Sequence, residues 1–241
     1  MKLIFIRHGE PDYSIDSLTE KGWREAEYLA QRISKLDVTE YFVSPLGRAQ
    51  DTSKATMKAV NRTAITKDWL REFNVKVDKE YPTNSTVPWD WMPGIWTKYE
   101  EFFDKDHWME QKTFQENKVG DLYQTVTAKL DELLEEYGYR RNGYVYDAVQ
   151  PNHDTLVFFC HFGLECVLLS HLMNVSPLTL WHGTCSAPTG VTILATEERV
   201  KGTAYFRMLT YADVSHLYAN GEEPSFAARF CETYDDVNDR H

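Results

Sequence analysis

The sequence lacks the features that mark secreted, disulfide-bonded or membrane-spanning proteins. None of its apolar runs approaches the length of a transmembrane helix, and neither a basic leader nor a long apolar stretch opens the chain. Its four cysteines show no paired short spacing. Three of them, Cys160, Cys166 and Cys185, lie in or near apolar runs, and Cys231 lies apart from these. This distribution is typical of reduced, buried thiols and disfavours a metal site. We therefore expect a cytoplasmic protein with no secretory signal, no bound metal and no membrane partner.

Positive charge is scarce as well. The formal net charge at pH 7 is −11, and no arginine occurs between Arg71 and Arg140. Nucleic-acid-binding proteins usually present a basic face, so we expect no nucleic-acid partner. The first apolar segment leads into no glycine-rich fingerprint, so a dinucleotide-binding oxidoreductase has no support. A length of 241 residues suits one substantial domain, or one domain with a large insertion.

Short buried strands alternate with helices along much of the chain. This alternation predicts an α/β fold with three layers, α/β/α, around a mainly parallel sheet. A closing antiparallel hairpin, at 190–195 and 204–209, is expected on the edge of that sheet. The predicted parallel strands are Leu3–Ile6, Tyr41–Val43, 63–66 and Thr155–Cys160.

Helical spacing of apolar residues follows the first two strands. Thr19 is a plausible N-cap for a helix whose inward face would hold Trp23, Ala26, Leu29, Ala30 and Ile33. A second helix, from Arg48 to about Val60, would turn Ala49, Thr52, Ala55 and Ala59 toward the core. A third runs from Leu122 to Tyr137 and ends at Gly138, and a polar loop through Asn152 and His153 follows it.

The regular pattern breaks between about residues 74 and 119. This stretch holds four of the seven tryptophans, Trp89, Trp91, Trp96 and Trp108. A segment of that length within a compact domain is usually functional, so we interpret it as a mostly helical cap inserted in a single domain over 1–241. The alternative is an ordinary insertion whose aromatic residues only pack it onto the body.

Polar residues follow three of the predicted strands. Arg7 and His8 end the first strand, Arg48 begins the helix after the second, and His161 ends the late strand. Carboxyl ends of parallel strands meet at one edge of a sheet, where ligands bind. An arginine fork beside an imidazole suits a phosphoryl group that the arginine binds and a ring nitrogen attacks.

The motifs at these positions resemble those of the histidine phosphatase superfamily, the phosphoglycerate-mutase-like clan. They are Arg7-His8-Gly9-Glu10, Leu18-Thr19-Glu20-Lys21-Gly22, Ser44-Pro45-Leu46-Gly47-Arg48-Ala49-Gln50-Asp51-Thr52 and the late His161. The resemblance spans 1 to about 73 and 154–209, with the motifs in the family's order. It implies a phosphoglycerate-mutase-like fold.

The resemblance also implies roles for single residues. His8 would be the nucleophile that forms a phosphohistidine, and Arg7 and Arg48 would bind the phosphoryl oxygens. His161 would donate a further hydrogen bond to the same oxygens. The proton donor to the leaving group would be Glu72, for which the alternative is an ordinary surface glutamate. No cofactor and no metal are implied.

Two positions depart from the family's pattern. Family members often have an asparagine six residues after the nucleophile, where this chain has Ser14, whose hydroxyl could still donate to phosphate. The late histidine is commonly followed by glycine, whereas Phe162 stands here before Gly163. We keep Ser14 and the backbone N–H of Phe162 as phosphate-binding candidates.

Three functions remain open from the sequence. A phosphoglycerate mutase must hold a second anionic group, yet the insertion has no arginine and many acids. This favours a metal-independent phosphatase that acts on a small-molecule phosphomonoester with an apolar or neutral leaving group. Mutase-type phosphoryl transfer is the first alternative, and a catalytically silent phosphate-ligand sensor is the second. A homo-oligomer is possible.

Overall fold

An eight-stranded sheet forms the centre of the computed structural model, which describes residues 1–79, 81, 85–227 and 229–237. Its strands lie in the order β5-β4-β8-β1-β9-β10-β7-β6, and β2 and β3 form a separate pair. The strands are β1 (Lys2–Arg7), β2 (Pro11–Asp12), β3 (Ser17–Leu18), β4 (Glu40–Val43), β5 (Ile65–Thr66), β6 (Tyr139–Asn142), β7 (Val145–Ala148), β8 (Thr155–Cys160), β9 (Val191–Val200) and β10 (Thr203–Asp213).

The sheet changes direction at β1. On one side β1, β8, β4 and β5 are parallel, and on the other side β9 runs antiparallel to β1 and is followed by β10, β7 and β6. The predicted fold class is confirmed. The predicted position of the closing hairpin is wrong in detail: β9 and β10 do not form the edge of the sheet, because β7 and β6 lie between them and that edge.

Helices cover both faces of the sheet. They are α1 (Glu20–Ile33), α2 (Gly47–Val60), α3 (Pro93–Trp96), α4 (Lys112–Glu116), α5 (Val119–Glu136), α6 (Phe162–Met173), α7 (Pro177–Gly183) and α8 (Ser215–Tyr218). Alternate side chains of β1 enter different cores. Ile4 and Ile6 pack with α1 and α2, whereas Leu3 and Phe5 pack in the core that includes α5, α6 and α7. None of the helices in the described ranges is long and apolar enough to cross a membrane.

Three predictions of burial are wrong. Trp23 of α1 is 39% exposed, although Thr19 caps that helix as expected by accepting from Gly22 N. Ala59 of α2 is exposed, because the buried face of this helix is formed by Ala49, Thr52, Ser53, Thr56 and Met57. Cys185 is exposed as well, so only Cys160 and Cys166 are buried thiols.

The segment that we interpret as a cap is built from short helical pieces around an aromatic cluster. Besides α3 and α4 it holds 3-10 turns at Glu100–Phe103 and Trp108–Glu110, and positions 80 and 82–84 lie outside the described residues. Two hydrogen bonds attach it to the α6–α7 region, from Trp91 N to His182 Nε2 (3.2 Å) and from Ser176 Oγ to Phe102 O (2.5 Å). The buried aromatic residues of the cluster are Trp91, Phe102, Trp108 and Phe114.

Candidate active site

The carboxyl ends of β1, β8 and β4 bring the predicted residues together. Arg7 pairs in register with Cys160, and His8 N donates to Cys160 O (3.0 Å), which places His8 beside His161. The centroids of the two imidazole rings are 5.2 Å apart. Arg48 follows the tip of β4 in the first turn of α2. The parallel half of the sheet therefore gathers two histidines and two arginines at one edge.

His8 is held in the tautomer that a nucleophile needs. Its side chain is buried, and Nδ1 lies 2.8 Å from Gly9 O. A carbonyl oxygen only accepts, so Nδ1 carries the proton and Nε2 keeps its lone pair. Burial, with the charges of Arg7 and Arg48, lowers the pKa of His8 well below its usual value. The ring is therefore neutral at physiological pH.

Each arginine has one contact that fixes it and one nitrogen without a partner. Arg7 Nη1 donates to Ser186 O (2.5 Å), and Arg48 Nη1 donates to Asp16 Oδ1 (2.6 Å). The Nε atoms of both arginines are buried and have no hydrogen-bond partner among the described residues. Such unpaired buried donors are rare in proteins and indicate a site for a missing acceptor.

His161 is oriented by a serine from the neighbouring strand tip. Its Nε2 lies 2.7 Å from Ser44 Oγ, while its buried Nδ1 has no partner within the described ranges. Burial and the nearby His8 and arginines lower the pKa of His161 well below its usual value. A neutral ring with one nitrogen fixed leaves the other nitrogen to face a ligand.

Glu72 lies against the N-terminus of α6. Its carboxylate accepts from Leu164 N (2.9 Å), Gly163 N (3.3 Å) and Phe73 N (2.7 Å). Burial raises the pKa of Glu72 in spite of these three hydrogen bonds. A carboxyl that holds its proton above the ordinary range is suited to donate that proton to a leaving group.

The two remaining candidates lie in different surroundings. Ser14 is exposed on the loop between β2 and β3, where its hydroxyl donates to Asp12 Oδ1 (2.5 Å), and no hydrogen bond joins it to the two histidines or two arginines. Phe162 begins α6, so its backbone N–H lies at the end of the helix that attracts anions. The centroid of its ring is 6.0 Å from Arg7 Cζ.

Three nitrogens of the site thus combine burial with a missing partner, namely Arg7 Nε, Arg48 Nε and His161 Nδ1. Two belong to cationic forks that match the oxygens of a phosphoryl group. Within the described part of the chain, no group of three or more His, Cys, Asp or Glu side chains could hold a metal ion. The arrangement can bind a tetrahedral oxyanion beside a neutral imidazole and a buried carboxyl whose pKa is raised.

Residues 3–206 match the family model of the histidine phosphatase superfamily (branch 1). The chain belongs to the histidine phosphatase superfamily. Probable phosphoglycerate mutases GpmB from Yersinia pestis (strain Pestoides F) and from Yersinia pseudotuberculosis (serotype O:1b) are each 34% identical to it over 97 residues. That match covers 36% of this chain and 45% of the relative, so the chain spans less than half the length of these curated relatives.

Solved structures of similar shape share the histidine phosphatase fold at low identity. A phosphoserine phosphatase from Entamoeba histolytica, solved in complex with phosphoserine, has a TM-score of 0.59 and 20% identity over 90% of this chain and 98% of its own. A mycobacterial glucosyl-3-phosphoglycerate phosphatase, solved with VO3, has a TM-score of 0.58 and 19% identity over 88% and 98% of the two chains. Identities this low support the fold of this histidine phosphatase superfamily member and leave its substrate open.

Sequence reasoning missed three residues that support this site. Asp16 holds Arg48, and Ser44 holds His161. Ser44 could have been found, because it lies directly after a predicted strand and begins the motif Ser44–Thr52. Glu165 is fully buried in α6, and its two carboxyl oxygens have no hydrogen-bond partner within the described residues. Burial raises the pKa of Glu165 to about 7, although Arg7 and nearby hydroxyls favour its charged form. The helical spacing of the sequence around Glu165 did not indicate that this side chain is buried.

Proposed function

We propose that this protein is a metal-independent phosphomonoester hydrolase that acts through a phosphohistidine on a small-molecule phosphate ester. The observation that supports it most directly is the set of unpaired buried nitrogens beside His8, a neutral imidazole with Nε2 as its free lone pair. Glu72 supplies the acid that hydrolysis requires. The proposed cytoplasmic location and the lack of a nucleic-acid partner rest on composition.

In the first step, His8 Nε2 attacks phosphorus and the bond to the leaving oxygen breaks. The departing alkoxide takes the proton of Glu72, so the alcohol leaves neutral and the carboxylate remains. Arg7, Arg48 and His161 donate to the oxygens of the phosphoryl group as charge redistributes on them. This donation is stronger than in water because the site is buried.

In the second step, water takes the place of the alcohol. The Glu72 carboxylate removes a proton from the water molecule, whose oxygen attacks phosphorus. The bond between His8 Nε2 and phosphorus breaks, and inorganic phosphate leaves. His8 returns to its neutral form, and Glu72 is protonated again for the next cycle.

The first prediction concerns the nucleophile. His8→Ala should lower hydrolysis of a general phosphomonoester, such as 4-nitrophenyl phosphate, by at least about a thousandfold, because the proposed intermediate forms on His8 Nε2 and the variant lacks that nitrogen. The assay is run with EDTA, both without and with added bisphosphoglycerate, and circular dichroism verifies the fold. His153→Ala, on an exposed loop, is the matched control and should keep full activity.

The same experiment separates the alternatives. Full activity of His8→Ala would contradict the mechanism, and strict dependence of the wild-type protein on bisphosphoglycerate would favour a mutase. Rapid acid quenching with mass spectrometry should detect phosphohistidine at His8. Tight binding of the ester with neither an adduct nor turnover would identify a sensor instead.

A further inference from the structure

Aromatic rings flank both phosphate-binding arginines of the site. The Tyr13 ring centroid lies 5.4 Å from Arg48 Cζ, and the Phe162 ring centroid lies 6.0 Å from Arg7 Cζ. Trp89 meets Phe162 edge to face, with ring centroids 6.1 Å apart. Tyr13 is 62% exposed, and Trp89 and Phe162 are only partly buried. We name Tyr13, Trp89 and Phe162 the aromatic rim.

The rim reaches the side of the site where the leaving group must depart. A Cβ atom added to Gly163 would lie 2.7 Å from Glu72 Oε1 and 2.5 Å from Trp89 Nε1, so the indole and the acid meet over the same glycine. The indole is fixed there, because Trp89 Nε1 donates to Phe73 O (2.9 Å). An alcohol that takes its proton from Glu72 therefore leaves past Trp89 and Phe162.

The cations next to the rim, Arg7 and Arg48, are the two that the proposed function assigns to the phosphoryl oxygens. The other charges nearby are acidic. Asp16 lies on Arg48, and Glu72 becomes a carboxylate once it has given up its proton. Two lysines of the insertion are occupied elsewhere: Lys79 Nζ donates to the backbone at Ser85 and Asp90, and Lys105 Nζ pairs with Asp106. The insertion has no arginine. With both arginine forks on the phosphoryl group, a carboxylate on the leaving group would approach these two acids without a free fork to bind it.

We propose that the aromatic rim is a leaving-group site for a flat, uncharged aromatic group, and that it selects against substrates with a carboxylate on the leaving group. This inference rests on the proposed function. Aromatic side chains stack on flat rings and favour them over saturated groups of the same size. Phe162 begins α6 with its ring beside Arg7, so it adds an aromatic face next to a phosphate-binding arginine.

Three esters of primary alcohols with similar leaving groups test the proposal. They are 2-phenylethyl phosphate, 2-cyclohexylethyl phosphate and the phosphate ester of 4-hydroxybutyrate. The wild-type protein should show a kcat/KM about fivefold higher for the phenyl than for the cyclohexyl ester, the order expected of one aromatic pair. The carboxylate ester should be hydrolysed at least about tenfold less efficiently than the phenyl ester, because like charges meet at close range.

Variants assign the preference to the rim. Phe162→Leu and Trp89→Leu should bring the phenyl-to-cyclohexyl ratio close to one, whatever their effect on the overall rate. Tyr144→Leu removes an exposed ring from the β6–β7 turn, at the far edge of the sheet, and should leave the ratio unchanged.

Equal efficiency with the phenyl and cyclohexyl esters, or a preference for the carboxylate ester, would overturn the leaving-group site and leave the proposed hydrolase standing. A phenyl preference that survives in both rim variants would overturn it too. Failure to hydrolyse all three esters and 4-nitrophenyl phosphate would contradict the hydrolase itself.

Discussion

At the scale of single residues, the site depends on side chains that never need to touch phosphorus. Asp16 is one of them. It accepts from Gly47 N (2.7 Å) as well as from Arg48 Nη1, so one carboxylate fixes both the start of α2 and its guanidinium. Although burial acts in the opposite direction, these hydrogen bonds lower the pKa of Asp16. The carboxylate therefore stays charged over the working range of an enzyme.

Removing this carboxylate should affect catalysis more than stability. In Asp16→Ala, Arg48 loses its fixed orientation, and we expect kcat/KM to fall about tenfold, mostly through a higher KM. The free energy of unfolding should change by about 1 kcal/mol or less, because the pair is partly exposed. Glu40→Ala breaks a comparable pair with Arg62 and serves as the control, because it lies at the opposite end of β4 from the site. An unchanged KM in Asp16→Ala would contradict the role of Asp16 in orienting Arg48.

At the scale of elements, the N-terminus of α6 is held by contacts from several parts of the chain. His161 precedes the helix, Glu72 accepts from its first turn, and the Trp89 indole lies over Gly163. Three separate segments of the chain thus meet at one helix end. A helix terminus offers unpaired N–H groups, and here Glu72 uses two of them.

Gly163→Ala should be damaging although the same change inside a helix usually stabilises it. Alanine has the higher helix propensity by about 1 kcal/mol, but the new methyl group would force the Trp89 indole and Glu72 apart. We expect a loss of about 1–3 kcal/mol in chemical denaturation and a lower kcat. Gly94→Ala, in α3, meets no atom within 4 Å and is the control. If Gly163→Ala were at least as stable and active as wild type, Trp89 and Glu72 would be able to move aside for the methyl group without cost, which would contradict this prediction.

Much of this element-scale organisation could be predicted from the sequence. Buried runs such as Thr155–Cys160, and polar residues directly after them, indicated the parallel strands and the site. The β6–β7 hairpin was missed, although Asn142-Gly143 between alternating residues is a turn signal. The aromatic rim could not be found, because Trp89 and Phe162 lie 73 positions apart and only tertiary packing brings them together.

At the scale of the whole molecule, buried glutamates and buried histidines have opposite effects on the pH dependence of stability. Burial raises the pKa values of Glu25 and Glu165 to about 7, so folding becomes less favourable as pH rises from about 4.5 to 7. Four buried or partly buried histidines have lowered pKa values, so for them folding becomes more favourable up to about pH 6.5 (His8, His161, His182 and His216). The unfolding free energy should therefore be greatest near pH 6.5.

The contribution of the two glutamates can be measured by substitution. Glu25→Gln and Glu165→Gln keep the shape of each side chain and remove the cost of burying its charge. Between pH 5 and pH 8, each variant should gain about 2 kcal/mol relative to wild type in urea denaturation, because that cost develops as the wild-type carboxyl ionises. Glu116→Gln, on an exposed face, should follow the wild-type curve. Parallel pH curves for all four proteins would contradict the assignment.

β1, the strand that leads into His8, pairs with strands that lie far along the chain. The partners of β1 are β8 and the first half of β9, which follow it by more than 150 residues and are therefore synthesised later. The amino group of Met1 likewise donates to Asn152 O and Thr196 Oγ1. Contacts so distant in sequence slow folding, since a long loop must close before they form. When residues 1–100 have been synthesised, His8, Arg48 and Glu72 are already present, but the candidate active site can assemble only after β8 and His161 have followed.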